Sequence, residues 1–83
     1  MEKKIKLAII SPERELFNGE VTSVTLPGSA GSFSVLPNHA PLVSSLDKGM
    51  LKYTSVNQEE HAMEIVGGFV EVSNNQVSVC LTK

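Results

Sequence analysis

His39 is the side chain best placed for acid–base chemistry, because Pro37 and Pro41 hold it in a stiff corner. A nucleophilic site would also need a serine or cysteine within reach and a carboxylate to orient the imidazole. The sequence has no G-x-S-x-G motif, and Asp47 is its single aspartate. We therefore expect His39 to hydrogen-bond within its own corner or to face a partner, and we predict no catalytic residue.

Metal-binding residues are also sparse. A zinc site needs about four convergent ligands, and His39, His61 and Cys80 lack the close paired spacings that such sites show. A single cysteine excludes an internal disulfide and is typical of a reducing compartment. We predict neither a metal nor a cofactor.

The segment from Gly28 to Gly31 has the small residues of a phosphate-binding loop. That motif requires G-x-x-x-x-G-K-[ST] leading into a helix, whose N-terminus holds the phosphates. Here there is no lysine, and the residues that follow Gly31 alternate as in a strand. We interpret the segment as a flexible turn between strands.

Length and composition set the class of protein. Eighty-three residues make one domain, which buries roughly 60–65% of its unfolded surface. With no tryptophan and 5% aromatic residues, the core must consist of Val, Leu, Ile and the three Phe. The net charge of −2 and the absence of a basic cluster argue against nucleic acid. The longest apolar run, residues 7–10, is too short for a membrane span or a secretory signal, so we predict a cytosolic chain.

The elements that must position these residues are strands. Apolar residues alternate with polar ones from residue 5 to 9, 21 to 26, 33 to 35 and 42 to 46. Further strands are predicted over residues 50–56, 62–66, 69–73 and 76–81, with turn signals every eight to twelve residues. The prediction is an all-β fold, a small β-sandwich of roughly 8–10 short, mostly antiparallel strands over residues 1–83.

Glycine and asparagine mark the connections. Asn18-Gly19 is a turn signal, and residues 27–31 form a small-residue loop. Gly67-Gly68 indicates a bulge or a corner where backbones approach closely. Asn74-Asn75 has the chemistry of a tight hairpin turn.

The proline-framed stretch also resembles a known family. It is similar to the signature of the epsilon subunit of F-type ATP synthases, in the N-terminal β-sandwich domain. The matching positions are Pro37, Asn38, His39, Ala40, Pro41, Leu42, Gly49 and Met50. Two flanking segments agree, SPERELFNG at residues 11–19 and VGGFVEV at residues 66–72. The resemblance runs in order over nearly the whole chain.

The resemblance implies a role in the rotating central stalk. Such a subunit lies with gamma above the membrane ring of c subunits, and it couples proton-driven rotation to ATP synthesis in the catalytic head. Its place would be the cytoplasmic face of the bacterial inner membrane, as a peripheral subunit. The implied gamma-facing residues are Ser11, His39 and Ser44. The implied c-ring contact is a polar loop made of Gly28, Ser29, Ala30, Gly31, Ser32 and Phe33.

The sequence departs from the family pattern at two places. Most members continue into two C-terminal helices that inhibit ATP hydrolysis and bind ATP in some bacteria, whereas this chain stops at Lys83. We therefore expect neither inhibition nor ATP sensing from it. Ser32 stands where many relatives carry an acidic residue, which argues against an ionic contact there.

Two alternatives remain open on the sequence. A biotin- or lipoate-carrying domain is also all-β and of similar size, and it presents a modified lysine at a hairpin tip, usually next to methionine. Met50-Leu51-Lys52 resembles that arrangement, although Lys52 lies inside a predicted strand. An unrelated small β-type adaptor is the other alternative.

Overall fold

The computed structural model describes residues 4–83, so the first three residues of the predicted 1–83 domain lie outside it. Within that range the chain forms eight strands and no helix. The strands are β1 (Ile5–Ile10), β2 (Glu15–Gly28), β3 (Gly31–Val35), β4 (Leu42–Leu46), β5 (Gly49–Ser55), β6 (Glu60–Ile65), β7 (Gly68–Ser73) and β8 (Gln76–Leu81).

The fourteen-residue strand β2 connects the two layers of the sandwich. Its first half pairs with β1, and the order continues from β1 to β8, β7 and β4 in one layer. Its second half pairs with β3 on one side and β5 on the other, and β6 follows β5. Among the described strands β1 and β8 run parallel and the other pairs are antiparallel. The predicted all-β sandwich is confirmed.

A purely aliphatic core lies between the layers. Strand β1 shows the pattern best, because Ile5, Leu7 and Ile9 are buried whereas Lys6 and Ile10 are exposed. Alternation of this kind places every second side chain on the inner face. The buried core consists of Ile5, Leu7, Ile9, Val21, Val24, Leu26, Val35, Leu46, Leu51, Ile65, Val70, Val72, Val77, Val79 and Leu81.

The prediction that three phenylalanines complete the core is wrong for one of them. Phe17 and Phe33 are partly buried and pack against the aliphatic cluster. Phe69 instead leaves 51% of its surface exposed, because the next residue, Val70, takes the inward-facing position of β7 and Phe69 points to the opposite face.

The predicted turn at Asn18-Gly19 is also wrong, because β2 runs straight through it. Asn18 pairs with Ala8 and Gly19 with Leu7 on β1. A continuous antiparallel ladder with a buried first strand outweighs a two-residue turn preference. A Cβ at Gly19 would lie 3.0 Å from the partly buried Phe17 ring, which would have to shift by a few tenths of an ångström to admit a side chain.

The two other glycine and asparagine predictions are confirmed. Asn74 and Asn75 have φ values of 51° and 59° and close the β7–β8 hairpin, as a type I′ turn requires. Gly68 has a φ of 153° and packs so closely on β8 that a Cβ would collide with the Cys80 carbonyl oxygen.

Candidate protein-interaction site

The corner between β3 and β4 is built around a type II β-turn. The His39 amide donates to the Leu36 carbonyl at 3.2 Å. Pro37 and Asn38 occupy the two central positions, and Asn38 has a φ of 69°. Proline suits the first of these positions, and the second requires a positive φ, which asparagine tolerates. The sequence thus encodes this corner locally.

The His39 ring is bonded within the corner, as one of the two sequence interpretations expected. Its Nδ1 lies 2.7 Å from the carbonyl oxygen of Ala40. Because a carbonyl oxygen only accepts, Nδ1 carries the hydrogen in this bond. The residue is half-buried, so the bond holds a partly exposed ring in a fixed orientation.

An open depression of about 410 Å³ lies between β3 and β4. His39 and Ser44, expected to face gamma, line it together with four residues expected to face the c ring: Ala30, Gly31, Ser32 and Phe33. Leu42 completes the lining. The structure thus brings together two sets of residues that the sequence assigned to different partners.

The segment from Gly28 to Phe33 is a tight hairpin rather than a flexible loop. Gly28 pairs with Gly31, so Ser29 and Ala30 alone make the reversal. The Ser29 amide donates to the Ser45 carbonyl at 3.0 Å, and the Ser29 hydroxyl donates to Asp47 Oδ1 at 2.9 Å. These bonds tie the hairpin to β4 and its following turn, a tertiary contact that local sequence does not reveal.

Ser11 lies apart from the other residues expected to face gamma. It directly follows β1, whereas His39 and Ser44 line the depression between β3 and β4, to which Ser11 does not contribute. Its hydroxyl donates to the Arg14 carbonyl at 3.0 Å and accepts from the Arg14 amide at 3.2 Å. The Ser44 hydroxyl donates to the Ser45 carbonyl at 3.0 Å.

Sequence reasoning missed four partly exposed apolar residues on the outer face of β4, β7, β8 and β1. The strand registers align Ser45 with Phe69, Phe69 with Cys80 and Cys80 with Ile10, and Val43 pairs with Glu71 in a neighbouring row. Val43, on the same face of β4, is 70% exposed, Phe69 51% and Ile10 42%, and Cys80 is half-buried. We call these four residues the outer apolar patch. The signal was present as apolar residues at outward positions of the predicted strands.

Possible metal ligands lie scattered over the part of the chain that the structure describes. Residues 4–83 contain no cluster of three or more His, Cys, Asp or Glu side chains able to hold a metal. No polar or charged residue in that range is buried. Nor does it contain a helix long and apolar enough to cross a membrane.

Lys52 does not have the position that a carrier domain needs. It lies within β5, paired with Thr25 of β2 and Ala62 of β6. A modified lysine must project from a hairpin tip, so the carrier alternative is not supported.

The chain folds into a small β-sandwich. Its exposed features are the proline-framed corner, the β2–β3 hairpin and the outer apolar patch. The chain belongs to the family of ATP synthase delta/epsilon chain β-sandwich domains, whose model matches residues 4–83. The resemblance found in the sequence is thereby confirmed.

Bacterial relatives give the same assignment. The ATP synthase epsilon chain of Leptospira interrogans serogroup Icterohaemorrhagiae serovar copenhageni is 45% identical over 76 residues, covering 92% of this chain and 59% of its own length. The epsilon chain of Chlorobium limicola is 40% identical over 82 residues, covering 99% of this chain and 92% of its own. The chain thus spans well under two thirds of the Leptospira relative.

Solved structures support the fold. A chain of the Euglena gracilis mitochondrial ATP synthase assembly of OSCP, F1 and c-ring superposes with a TM-score of 0.93 at 21% identity, over 100% of this chain and 53% of that one. A chain of the Tetrahymena thermophila mitochondrial ATP synthase central stalk and c-ring gives 0.78 at 19% identity, over 99% and 65%.

Proposed function

We propose that this chain is a central-stalk component of an F-type proton-translocating ATP synthase, where it links gamma to the c ring and helps couple proton flow to ATP synthesis. The family match over residues 4–83 carries the proposal. The epsilon chain relatives support it, as do the fold matches to chains from central-stalk and c-ring assemblies. As part of that complex the chain works peripherally, at the cytoplasmic face of the bacterial inner membrane.

The outer apolar patch is the surface that we assign to gamma. Ile10 at one end of it precedes Ser11, and Val43 at the other precedes Ser44. Lys6 and Glu71 are the charged residues that the four strands place on this face. Glu71 pairs directly with Val43, whereas the row of Phe69, Cys80 and Ile10 carries no charge. A contact centre that is poor in charge, with polar groups around it, is the usual anatomy of a protein interface. Ser11 and His39 are then assigned to its rim. Ser44 alternates with Val43 and pairs with the buried Val70, so it faces the depression between β3 and β4 instead.

The hairpin from Gly28 to Phe33 is the surface that we assign to the c ring. Ser29 has its hydroxyl engaged with Asp47 and Ser45, so the contact passes through the exposed Ser32 and through backbone groups. Small polar groups of this kind bind through bridging water as well as directly. The c-ring contact is therefore weak by itself, and the gamma face supplies most of the affinity.

The chain contributes no catalytic group in this proposal. Its His39 ring is bonded to a backbone carbonyl, and Asp47 binds Ser29 rather than an imidazole. The physical contribution of the sandwich is stiffness, because its close-packed aliphatic core transmits load with little deformation.

Replacement of Phe69 by Asp tests the assignment of the gamma face. We expect at least about tenfold weaker binding to purified gamma, because the carboxylate would be desolvated without a partner at the centre of the contact. The measurement is calorimetric titration of gamma with each variant. Val56→Asp is the matched control, since Val56 is similarly exposed, at 44%, but lies in the β5–β6 connection.

Both variants should keep the wild-type circular dichroism spectrum and unfolding midpoint. If Phe69→Asp and wild type bind gamma equally while Val56→Asp binds weakly, gamma docks on the other layer. If wild type itself does not bind gamma, the proposed function is wrong.

A further inference from the structure

The corner of residues 36–41, which we call the His39 corner, is fastened to a distant hairpin. The backbone amide of Asn38 donates to Oδ1 of Asn75 at 2.5 Å. In return the Asn75 side-chain amide donates to Oδ1 of Asn38 at 3.3 Å. The two asparagines are 37 residues apart in sequence, so this reciprocal pair exists only in the folded chain.

Asn75 is itself held at a junction of three segments. Its φ of 59° places it at the second central position of the β7–β8 turn. Its carbonyl accepts from the Lys6 amide at 2.9 Å, at the start of β1. Its side chain then reaches the His39 corner, so a rigid edge of the sheet fixes a segment that lies outside every strand.

We propose that Asn75 is a positioning residue for partner binding, acting through the His39 corner. The inference rests on the proposed function, in which His39 lies at the gamma-facing rim. The turn within the corner sets its local shape, and the Asn38–Asn75 pair sets its position relative to the outer face of β1, β8, β7 and β4. Fixing that position before binding reduces the entropy lost when gamma docks.

Asn75→Gly tests the proposal cleanly because glycine adopts a positive φ without strain and suits a type I′ turn. The variant keeps the hairpin and removes both side-chain bonds to Asn38. Asn74→Gly is the matched control, since Asn74 has a φ of 51° in the same turn and takes no part in the pair. We expect about fivefold weaker gamma binding for Asn75→Gly, in line with the modest net value of hydrogen bonds, and less than about twofold for Asn74→Gly.

Hydrogen exchange on the chain without gamma gives an independent readout. The Asn38 amide should exchange several-fold faster in Asn75→Gly than in wild type or Asn74→Gly, while the core amides of β7 and β8 stay protected. Asn75→Asp retains the Oδ1 acceptor for the Asn38 amide and should restore part of the protection. Unchanged exchange of the Asn38 amide in Asn75→Gly would overturn the proposed fastening.

A double-mutant cycle shows whether Asn75 acts through His39. We expect the effect of Asn75→Gly on gamma affinity to shrink to less than about twofold in a His39→Ala background, because the corner then presents no ring to position. If Asn75→Gly weakens gamma binding as much in the His39→Ala background as in wild type, the proposal is wrong. It is also wrong if His39→Ala binds gamma weakly and Asn75→Gly binds gamma as wild type does. If His39→Ala alone binds as wild type does, the error lies in the proposed gamma-facing role of the corner.

Discussion

Gly67 and Gly68 show at the scale of single residues how the chain is constrained. Both have a positive φ, 148° and 153°, which side chains rarely adopt. They differ in the space around them. A Cβ at Gly67 would find its nearest atom, the Leu46 carbonyl oxygen, at 3.5 Å, an ordinary contact, whereas one at Gly68 would collide with the Cys80 carbonyl oxygen. A side chain at Gly67 would therefore meet only backbone strain, whereas one at Gly68 would meet backbone strain and a steric collision.

Alanine at each position should measure the two effects. Gly67→Ala should lower the free energy of unfolding by about 1–3 kcal/mol, the usual cost of a strained backbone conformation. Gly68→Ala should cost clearly more, because β7 must also move away from β8. Urea unfolding followed by circular dichroism gives both values. Equal losses would show that β7 and β8 adjust to a Cβ without strain.

The β2–β3 hairpin shows at the scale of elements how two short strands are held for a contact. Ser29 and Ser45 share a hydroxyl–hydroxyl bond of 2.9 Å, and the Asp47 amide donates to the Pro27 carbonyl at 2.8 Å. The reversal is therefore fastened to the turn between β4 and β5. These bonds hold the hairpin that carries Ser32 in a fixed position. The proposed c-ring contact needs such a fixed position in order to transmit load.

A cysteine at position 32 should crosslink to a c subunit in the assembled enzyme. The variant is Ser32→Cys in a Cys80→Ser background, labelled with a photoreactive maleimide and illuminated in membranes. Asn57→Cys is the control, because the β5–β6 connection lies near Val21 of β2, about 23 Å from Gly28 at 3.3 Å per residue. If Asn57→Cys crosslinks to a c subunit and Ser32→Cys does not, the β5–β6 connection faces the c ring and the β2–β3 hairpin faces away from it.

The whole molecule depends on β2, which pairs in both layers of the sandwich. Leu7 of β1 and Leu51 of β5 come from different layers, and both are fully buried in one core cluster. Loss of packing in one layer therefore removes support from the other. We expect the sandwich to unfold as one cooperative unit.

Leu7→Ala should destabilise both layers together. The expected loss is about 2–5 kcal/mol, a large part of the roughly 5–15 kcal/mol that stabilises a typical domain. Tyr53, which packs 4.5 Å from Phe17 between ring centroids, reports on β5 by its fluorescence, and circular dichroism reports on all strands. The two transitions should coincide and shift equally in the variant. Separate midpoints would show that the layers unfold independently.

Local patterns in the sequence determined much of this structure. Alternation of apolar and polar residues predicted four of the strands, because each of them buries one face, and the spacing of turn signals marked out the other four. Pro37 and Pro41 predicted the corner, because proline fixes its own backbone angle and keeps the preceding residue extended. Asn74 and Asn75 predicted the last hairpin, because asparagine tolerates the positive φ that a tight hairpin turn requires. The family signature predicts that His39 faces gamma.

Tertiary structure decided what depends on distant partners. Pairing with β1 kept Asn18 and Gly19 extended, because a long ladder outweighs a local turn preference. The register of four strands collected Val43, Phe69, Cys80 and Ile10 into one patch, although they are scattered along the sequence. Hydrogen bonds between residues tens of positions apart, such as those of Asn38 with Asn75, hold the His39 corner in place. Such contacts carry no local signal, since each depends on how the layers are assembled.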